Sequence, residues 1–128
     1  MNKKEAKALE REAKNNNIEA IKTLAQAYFS GDGVKKSKGK AIELYDQGAK
    51  LKDGECAFTL GRYYEKGLIV KQDYNKARLY YKMAADVDYP EAVYKMGYFL
   101  QYGYGIYKDE EEAQKYYKKA EELGYKPE

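Results

Sequence analysis

Residues 56–85, CAFTLGRYYEKGLIVKQDYNKARLYYKMAA, decide the fold, because a shift of 36 positions in either direction lands on a relative of the same stretch. A sequence period of roughly 20 to 50 residues marks an array of repeated supersecondary units. Leu24-Ala25, Leu60-Gly61 and Met96-Gly97 are in register, as are Ala20, Cys56 and Ala92, and Gly31, Gly67 and Gly103. The second half of each unit keeps step through Ala41, Ala77 and Ala113, through Tyr45, Tyr81 and Tyr117, and through Gly48, Ala84 and Ala120.

Each unit reads as two antiparallel helices. Cys56, Leu60, Tyr63 and Tyr64 form one apolar stripe at helical spacing, and Gly67 supplies the left-handed residue that ends the first helix. Ser37, Asp73 and Asp109 are N-cap residue types at one repeat position, and Asp109 with Glu112 has the spacing of a capping box. The second stripe is Ala77, Tyr80, Tyr81, Ala84 and Ala85, and Pro90 suits the first turn of the next helix. Neither helix can bury its stripe alone, so the pairs must stack. By analogy with other arrays of helix pairs the stack is a right-handed superhelix.

Residues 1–16 join the register as an unpaired second-type helix, with Ala8, Leu9 and Ala13 falling where Tyr80, Tyr81 and Ala85 fall. Glu5, Glu12 and, at the far end, Glu121 take apolar positions, as capping units with a polar outer side require. The expected organisation is one all-α domain of seven helices over 1–128: a capping helix (1–16), repeats at 17–52, 53–88 and 89–124, and a short tail (125–128).

Composition narrows the function. Twenty-four Lys and Arg against 21 Asp and Glu leave +3, too balanced to indicate nucleic acid or a membrane as the partner. No stretch has the roughly 20 apolar residues of a membrane span, and no signal peptide is evident, so a cytoplasmic protein is expected. There is no His and no Trp, which removes histidine-based catalysis and zinc sites. Cys56, the single cysteine, sits at a small-residue position and reads as a buried, inert thiol. No enzyme activity, catalytic residue, cofactor or metal is expected.

The pattern resembles the Sel1-like repeat, a relative of the tetratricopeptide repeat. Its residues are met at Cys56, Leu60, Gly61, Tyr64, Gly67, Val70, Asp73, Lys76, Ala77, Tyr80, Tyr81, Ala84 and Ala85, and the likeness covers about 110 of the 128 residues. Departures are local: Ile69 replaces a glycine that Gly33 and Gly105 keep, Ser37 replaces an Asp, and Gly48 replaces an Ala. The resemblance implies an α/α superhelical solenoid whose first helices line a concave face and recognise protein. Disulfide-rich members of the family are linked to penicillin binding, and one cysteine sets this chain apart from them.

If the first helices pack as in that family, the concave side carries Lys22, Gln26, Phe29 and Ser30, then Phe58, Arg62, Glu65 and Lys66, then Tyr94, Tyr98, Gln101 and Tyr102. Tyr94, Tyr98 and Tyr102 recur at i, i+4, i+8 on a face other than that of Met96, Phe99 and Leu100, and tyrosine is a common binding anchor. The partner expected on this face is a protein or peptide, bound by a monomer or weak homodimer. The rival readings are self-association through the tyrosines, or a hydrolase using carboxylates, for which Glu65 alone is suitably placed. Lys35, Lys36, Lys38 and Lys40 form a basic cluster, read as a solvated turn or a site for an acidic partner.

Overall fold

The computed structural model describes residues 1–127. Among them the elements are α1 (Lys3–Lys14), α2 (Ile18–Ser30), α3 (Lys38–Lys50), α4 (Gly54–Lys66), α5 (Tyr74–Ala85), α6 (Pro90–Tyr102) and α7 (Glu110–Glu122), with no strand. The helices pack mainly on their chain neighbours, α1 on α2 through α6 on α7, as in a one-dimensional stack.

The three turns inside the pairs are built alike. Gly31, Gly67 and Gly103 end α2, α4 and α6 at φ 75°, 67° and 72°, a left-handed conformation that glycine adopts without a steric penalty. Each turn closes when Ser37, Asp73 or Asp109 donates its N–H to the carbonyl of Tyr28, Tyr64 or Leu100 at 2.9, 2.8 and 3.0 Å. The side chains of the same three residues then cap α3, α5 and α7. Ile69 holds φ 70° where Gly33 and Gly105 hold 75° and 66°. The middle turn therefore keeps the shared backbone and places a β-branched residue in a conformation costing about 1–2 kcal/mol.

Two local expectations are corrected. Asp109 accepts from the Glu112 N–H at 3.0 Å, but the Glu112 carboxylate pairs with Lys115 instead of closing a capping box. The complete box is at the start of α1, where Asn2 and Glu5 exchange both bonds. Glu5 thus caps a helix end rather than merely replacing a core alanine. α1 keeps the expected register: Ala13 is buried and Leu9 packs on the core, Ala8 is partly covered as Tyr80 is, and Ala6 joins them on the buried side.

The core follows the repeat. Position by position it holds Leu24, Leu60 and Met96; Ala41, Ala77 and Ala113; and Tyr45 and Tyr81. A Cβ built on Gly61 would lie 2.5 Å from the Tyr81 ring, and one on Gly97 2.9 Å from Tyr117, so the glycine is the seat of the tyrosine. At the next joint the repeat varies in a compensated way. Ala84 and Ala92 become Gly48 and Cys56 one unit earlier, and a Cβ on Gly48 would sit 2.4 Å from the Cys56 Sγ. The thiol occupies the volume that the missing methyl vacates. Cys56 is fully buried, and burial, then its bond to Asp53, pushes its pKa up, so it stays a neutral thiol.

Candidate functional site

The first-type helices α2, α4 and α6 present the predicted face as four rows, each with one residue per repeat, and the structure assigns the rows different tasks. The row Lys22, Phe58, Tyr94 reaches the start of the next unit. Lys22 Nζ lies 3.7 Å from Asp53 and 3.3 Å from Glu55. Phe58 stacks on Tyr89 at 5.1 Å, and Tyr94 packs on Tyr125 at 5.1 Å. Asp53, Tyr89 and Tyr125 are one repeat position, so this row is a joint between units whose chemistry changes from ionic to aromatic along the chain. Phe58 is 5% exposed, and its ring is therefore part of the core rather than open to a ligand.

The row Phe29, Glu65, Gln101 receives the second-helix tyrosines. Tyr81 donates its hydroxyl to Glu65 at 2.6 Å, and Tyr117 donates to Gln101 at 2.6 Å. In the first repeat Phe29 cannot accept; its ring instead meets Tyr45 at 6.0 Å. Burial, then the neighbouring Tyr63, pushes the Tyr45 pKa up to about 12; burial, then Tyr94, does the same for Tyr117. Tyr81, the most enclosed of the three, is raised further by burial and by its bond to Glu65. Glu65 also pairs with Lys95 at 3.1 Å. Its carboxylate is committed to these two structural bonds.

The remaining rows face outward. Gln26 and Arg62 are exposed and Tyr98 half-buried; Ser30, Lys66 and Tyr102 are all exposed, Tyr102 at 48%. The three predicted tyrosines divide here. Tyr94 turns to the end of the stack, between Tyr117 and Tyr125. Tyr98 and Tyr102 meet at 4.8 Å and gather Tyr104, which in turn stacks on Tyr74 at 4.8 Å. Lys95 sits 5.6 Å from the Tyr98 ring centre, a cation–π contact on the same cluster. Sequence reasoning missed Tyr74, Lys95 and Tyr125. Tyr125 was legible, since it stands 36 residues after Tyr89.

A groove of about 590 Å³ opens at the other end of this face, lined by Leu9, Ala27, Gln26, Ser30 and Thr23 among others. The repeat explains it. Between α3 and α4 the equivalent space is filled by Tyr45 against Tyr63, and between α5 and α6 by Tyr81 against Phe99. Leu9 and Ala27 stand in those positions between α1 and α2, so two rings are absent there.

The Sel1 repeat family model matches residues 18–53, 54–89 and 90–125. Among solved structures, a Sel1 repeat protein from Oxalobacter formigenes is 28% identical with a TM-score of 0.85, over 93% of this chain and 90% of that one. The protective antigen c5321 of uropathogenic Escherichia coli is 28% identical with a TM-score of 0.82, over 94% of this chain and 26% of that longer one. The Helicobacter pylori cysteine rich protein B is 26% identical with a TM-score of 0.71, over 94% and 92% of the two chains. No curated protein sequence matches the chain. Among the described residues, no helix is long and apolar enough to cross a membrane.

Proposed function

The chain belongs to the Sel1 repeat family, and from that premise we propose that it is a non-enzymatic interaction module whose outward rows hold a peptide or protein. The observation that carries this reading is the gathering of Tyr98, Tyr102 and Tyr104 with Lys95, on the two rows that hold exposed Arg62 and Lys66 one repeat earlier. Large rings with a polar tip, set among charges, are the composition of interface hot spots. Tyr102 is half-exposed although the repeat does not need it for packing: the same position is Ser30 and Lys66 in the other units. The groove at Leu9 and Ala27 extends the face by a recess of about 590 Å³.

Three first-type helices of 13 residues each span about 20 Å and, at about 10 Å spacing, offer roughly 600 Å². That area suits a peptide or part of a standard interface. Phe58 and Tyr94 support the face from behind; Gln26, Arg62, Tyr98 and Tyr102 are its contact residues, with Phe29, Glu65, Gln101 and Lys22 fixing their setting. The hydrolase alternative loses support because Glu65, its one candidate carboxylate, is bonded to Tyr81 and Lys95.

The test is affinity capture from the source cells with the wild-type chain and a Tyr98→Ala/Tyr102→Ala variant, followed by binding measurement with the purified partner. Loss of the partner from the variant is the expected result. Capture of the same proteins by both, at equal affinity, would sink the proposal.

A further inference from the structure

The turns that join the helix pairs lie side by side along one edge. The turn at Gly105 touches Tyr74 and Asn75 at the start of α5, held by the Arg78 Nε–H donated to the Gly105 carbonyl at 3.0 Å. The turn at Gly33 touches Met1 in the same way. The charge on this edge is lopsided. On the opposite edge and flank, Lys22, Lys50, Lys82 and Lys119 each face an Asp or Glu within 4.0 Å. On the turn edge Lys35, Lys36, Lys38, Lys66 and Lys71 are all exposed, and among the described residues none has an acidic group within that distance. Asp32, the acid nearest Lys35 and Lys36 in sequence, is taken by the chain's own amino terminus at 2.7 Å, Glu65 beside Lys66 pairs with Lys95, and Asp73 beside Lys71 caps α5.

Apolar groups share the edge. Leu68 is 44% and Ile69 43% exposed, in the same turn as Lys66 and Lys71. Ile69 bears the cost of a left-handed backbone while leaving much of its side chain in water, so neither conformation nor packing accounts for it. The basic field belongs to the first two repeats only, because the third turn leads into Glu110, Glu111 and Glu112.

We infer that the lysine edge of the first two repeats, with Leu68 and Ile69 at its centre, is a second docking surface for an acidic protein segment bearing apolar side chains. Unpaired lysines supply charge complementarity and steer encounter, and the two aliphatic residues supply the desolvated contact. Phosphate-bearing partners fit less well. The exposed cluster is all lysine, without the planar fork by which arginine recognises phosphate bidentately, and Arg78 nearby is part-buried and donates its Nε–H to the Gly105 carbonyl. The helix N-termini beside it are already capped, at α5 by the Asp73 carboxylate, which occupies the place a phosphate would take. Base stacking is disfavoured within the lysine field: Tyr28 and Tyr64 are covered by Lys40 and Lys76 at 5.3 Å each, and the exposed Tyr107 stands on the third turn, which leads into Glu110, Glu111 and Glu112.

The test measures fluorescence anisotropy of a labelled peptide of four Glu-Glu-Leu-Glu repeats, beside oligothymidylate and phosphatidylserine-containing vesicles as competing probes. The peptide binds, and a Lys35→Glu/Lys36→Glu/Lys38→Glu variant weakens it about tenfold or more and flattens its salt dependence. Leu68→Ser weakens it with the salt dependence unchanged, whereas Tyr98→Ala/Tyr102→Ala leaves it intact. Circular dichroism melting of each variant establishes that it is folded. Equal binding by the lysine variant overturns the inference, as does tighter binding of the oligonucleotide or the vesicles. Dimerisation that the lysine variant abolishes would also overturn it, giving the lysines to a second copy's Glu110–Glu112 instead.

Discussion

Replacing Gly48 by alanine adds one methyl group to the last turn of α3, where alanine is intrinsically favoured by up to about 1 kcal/mol. The structure reverses that sign. The new Cβ falls 2.4 Å from Cys56 Sγ and 2.9 Å from Cys56 Cβ, with Ile21 Cγ2 behind at 3.7 Å, and all three belong to fully buried residues. Overpacking of this kind costs about 1–3 kcal/mol, so Gly48→Ala is expected to destabilise by about 1 kcal/mol after the gain in helix propensity. Cys56→Ala alone removes one buried heavy atom and costs about 1 kcal/mol. The double variant recreates Ala84 and Ala92 of the following repeat, a pairing that the same backbone already accommodates. It is expected to equal or exceed wild-type stability, a coupling of about 2 kcal/mol. Urea denaturation of the four proteins, read from midpoints at common slope, gives the cycle. Additivity of the two single changes to within about 0.5 kcal/mol, or a Gly48→Ala protein more stable than wild type, would refute the compensated joint.

Other expectations concern backbone, ionisation and the separation of support from recognition. Lys52, exposed at φ 68°, occupies the position where Gly124 holds 90°; Lys52→Gly relieves about 1–2 kcal/mol of backbone strain against about 0.5–1 kcal/mol of chain entropy, so the urea midpoint rises slightly. Tyr45 ionises near 12 when folded and near 10 when unfolded, so its contribution is complete below pH 10 and is lost as pH rises towards 12. Stability falls across that window, and Tyr45→Phe makes the fall shallower by about 1.4 kcal/mol per pH unit; an unchanged slope counts against the burial argument. Phe58→Ala costs about 3–4 kcal/mol in a thermal or urea melt, whereas Tyr102→Ala stays within about 0.5 kcal/mol of wild type and loses partner affinity.

The repeat made the fold legible because every solenoid position is read three times, and a pattern such as Ala41, Ala77 and Ala113 needs no knowledge of distant contacts. The turn conformation was equally legible, and it persisted even where Ile69 replaced glycine. The face was only partly legible. Spacing placed Phe58 and Tyr102 on adjoining rows, but their exposures differ because Tyr89 arrives from the next unit to cover Phe58, a contact that helical periodicity within one helix does not encode. Tyr94, Tyr98 and Tyr102 shared a stripe on paper and separated in space for the same reason: Tyr125 recruits the first, while Tyr104 recruits the other two. The role of Glu5 was hidden because the repeat register reads it as a polar stand-in for a core alanine, whereas it serves the helix end.

The change of chemistry along the joint row gives the molecule an uneven elasticity. Lys22 with Asp53 and Glu55 is a contact that salt screens, while Phe58 on Tyr89 and Tyr94 on Tyr125 are contacts that salt strengthens. The buried side chains divide one step earlier, within repeat one, into a small cluster around Ile21, Leu24 and Ala41 and a larger one that runs from Ala25, Tyr45 and Ala49 through Cys56 to Phe99, with Phe29 and Leu44 touching both. A rise in ionic strength thus weakens the Lys22 contact between repeats one and two first, while Phe29 and Tyr45 against Tyr63 hold the same joint. The capping helix and the outer side of the first pair therefore hold a small core of their own, separate from the one that ends in Phe99 beneath Tyr74 and Tyr104.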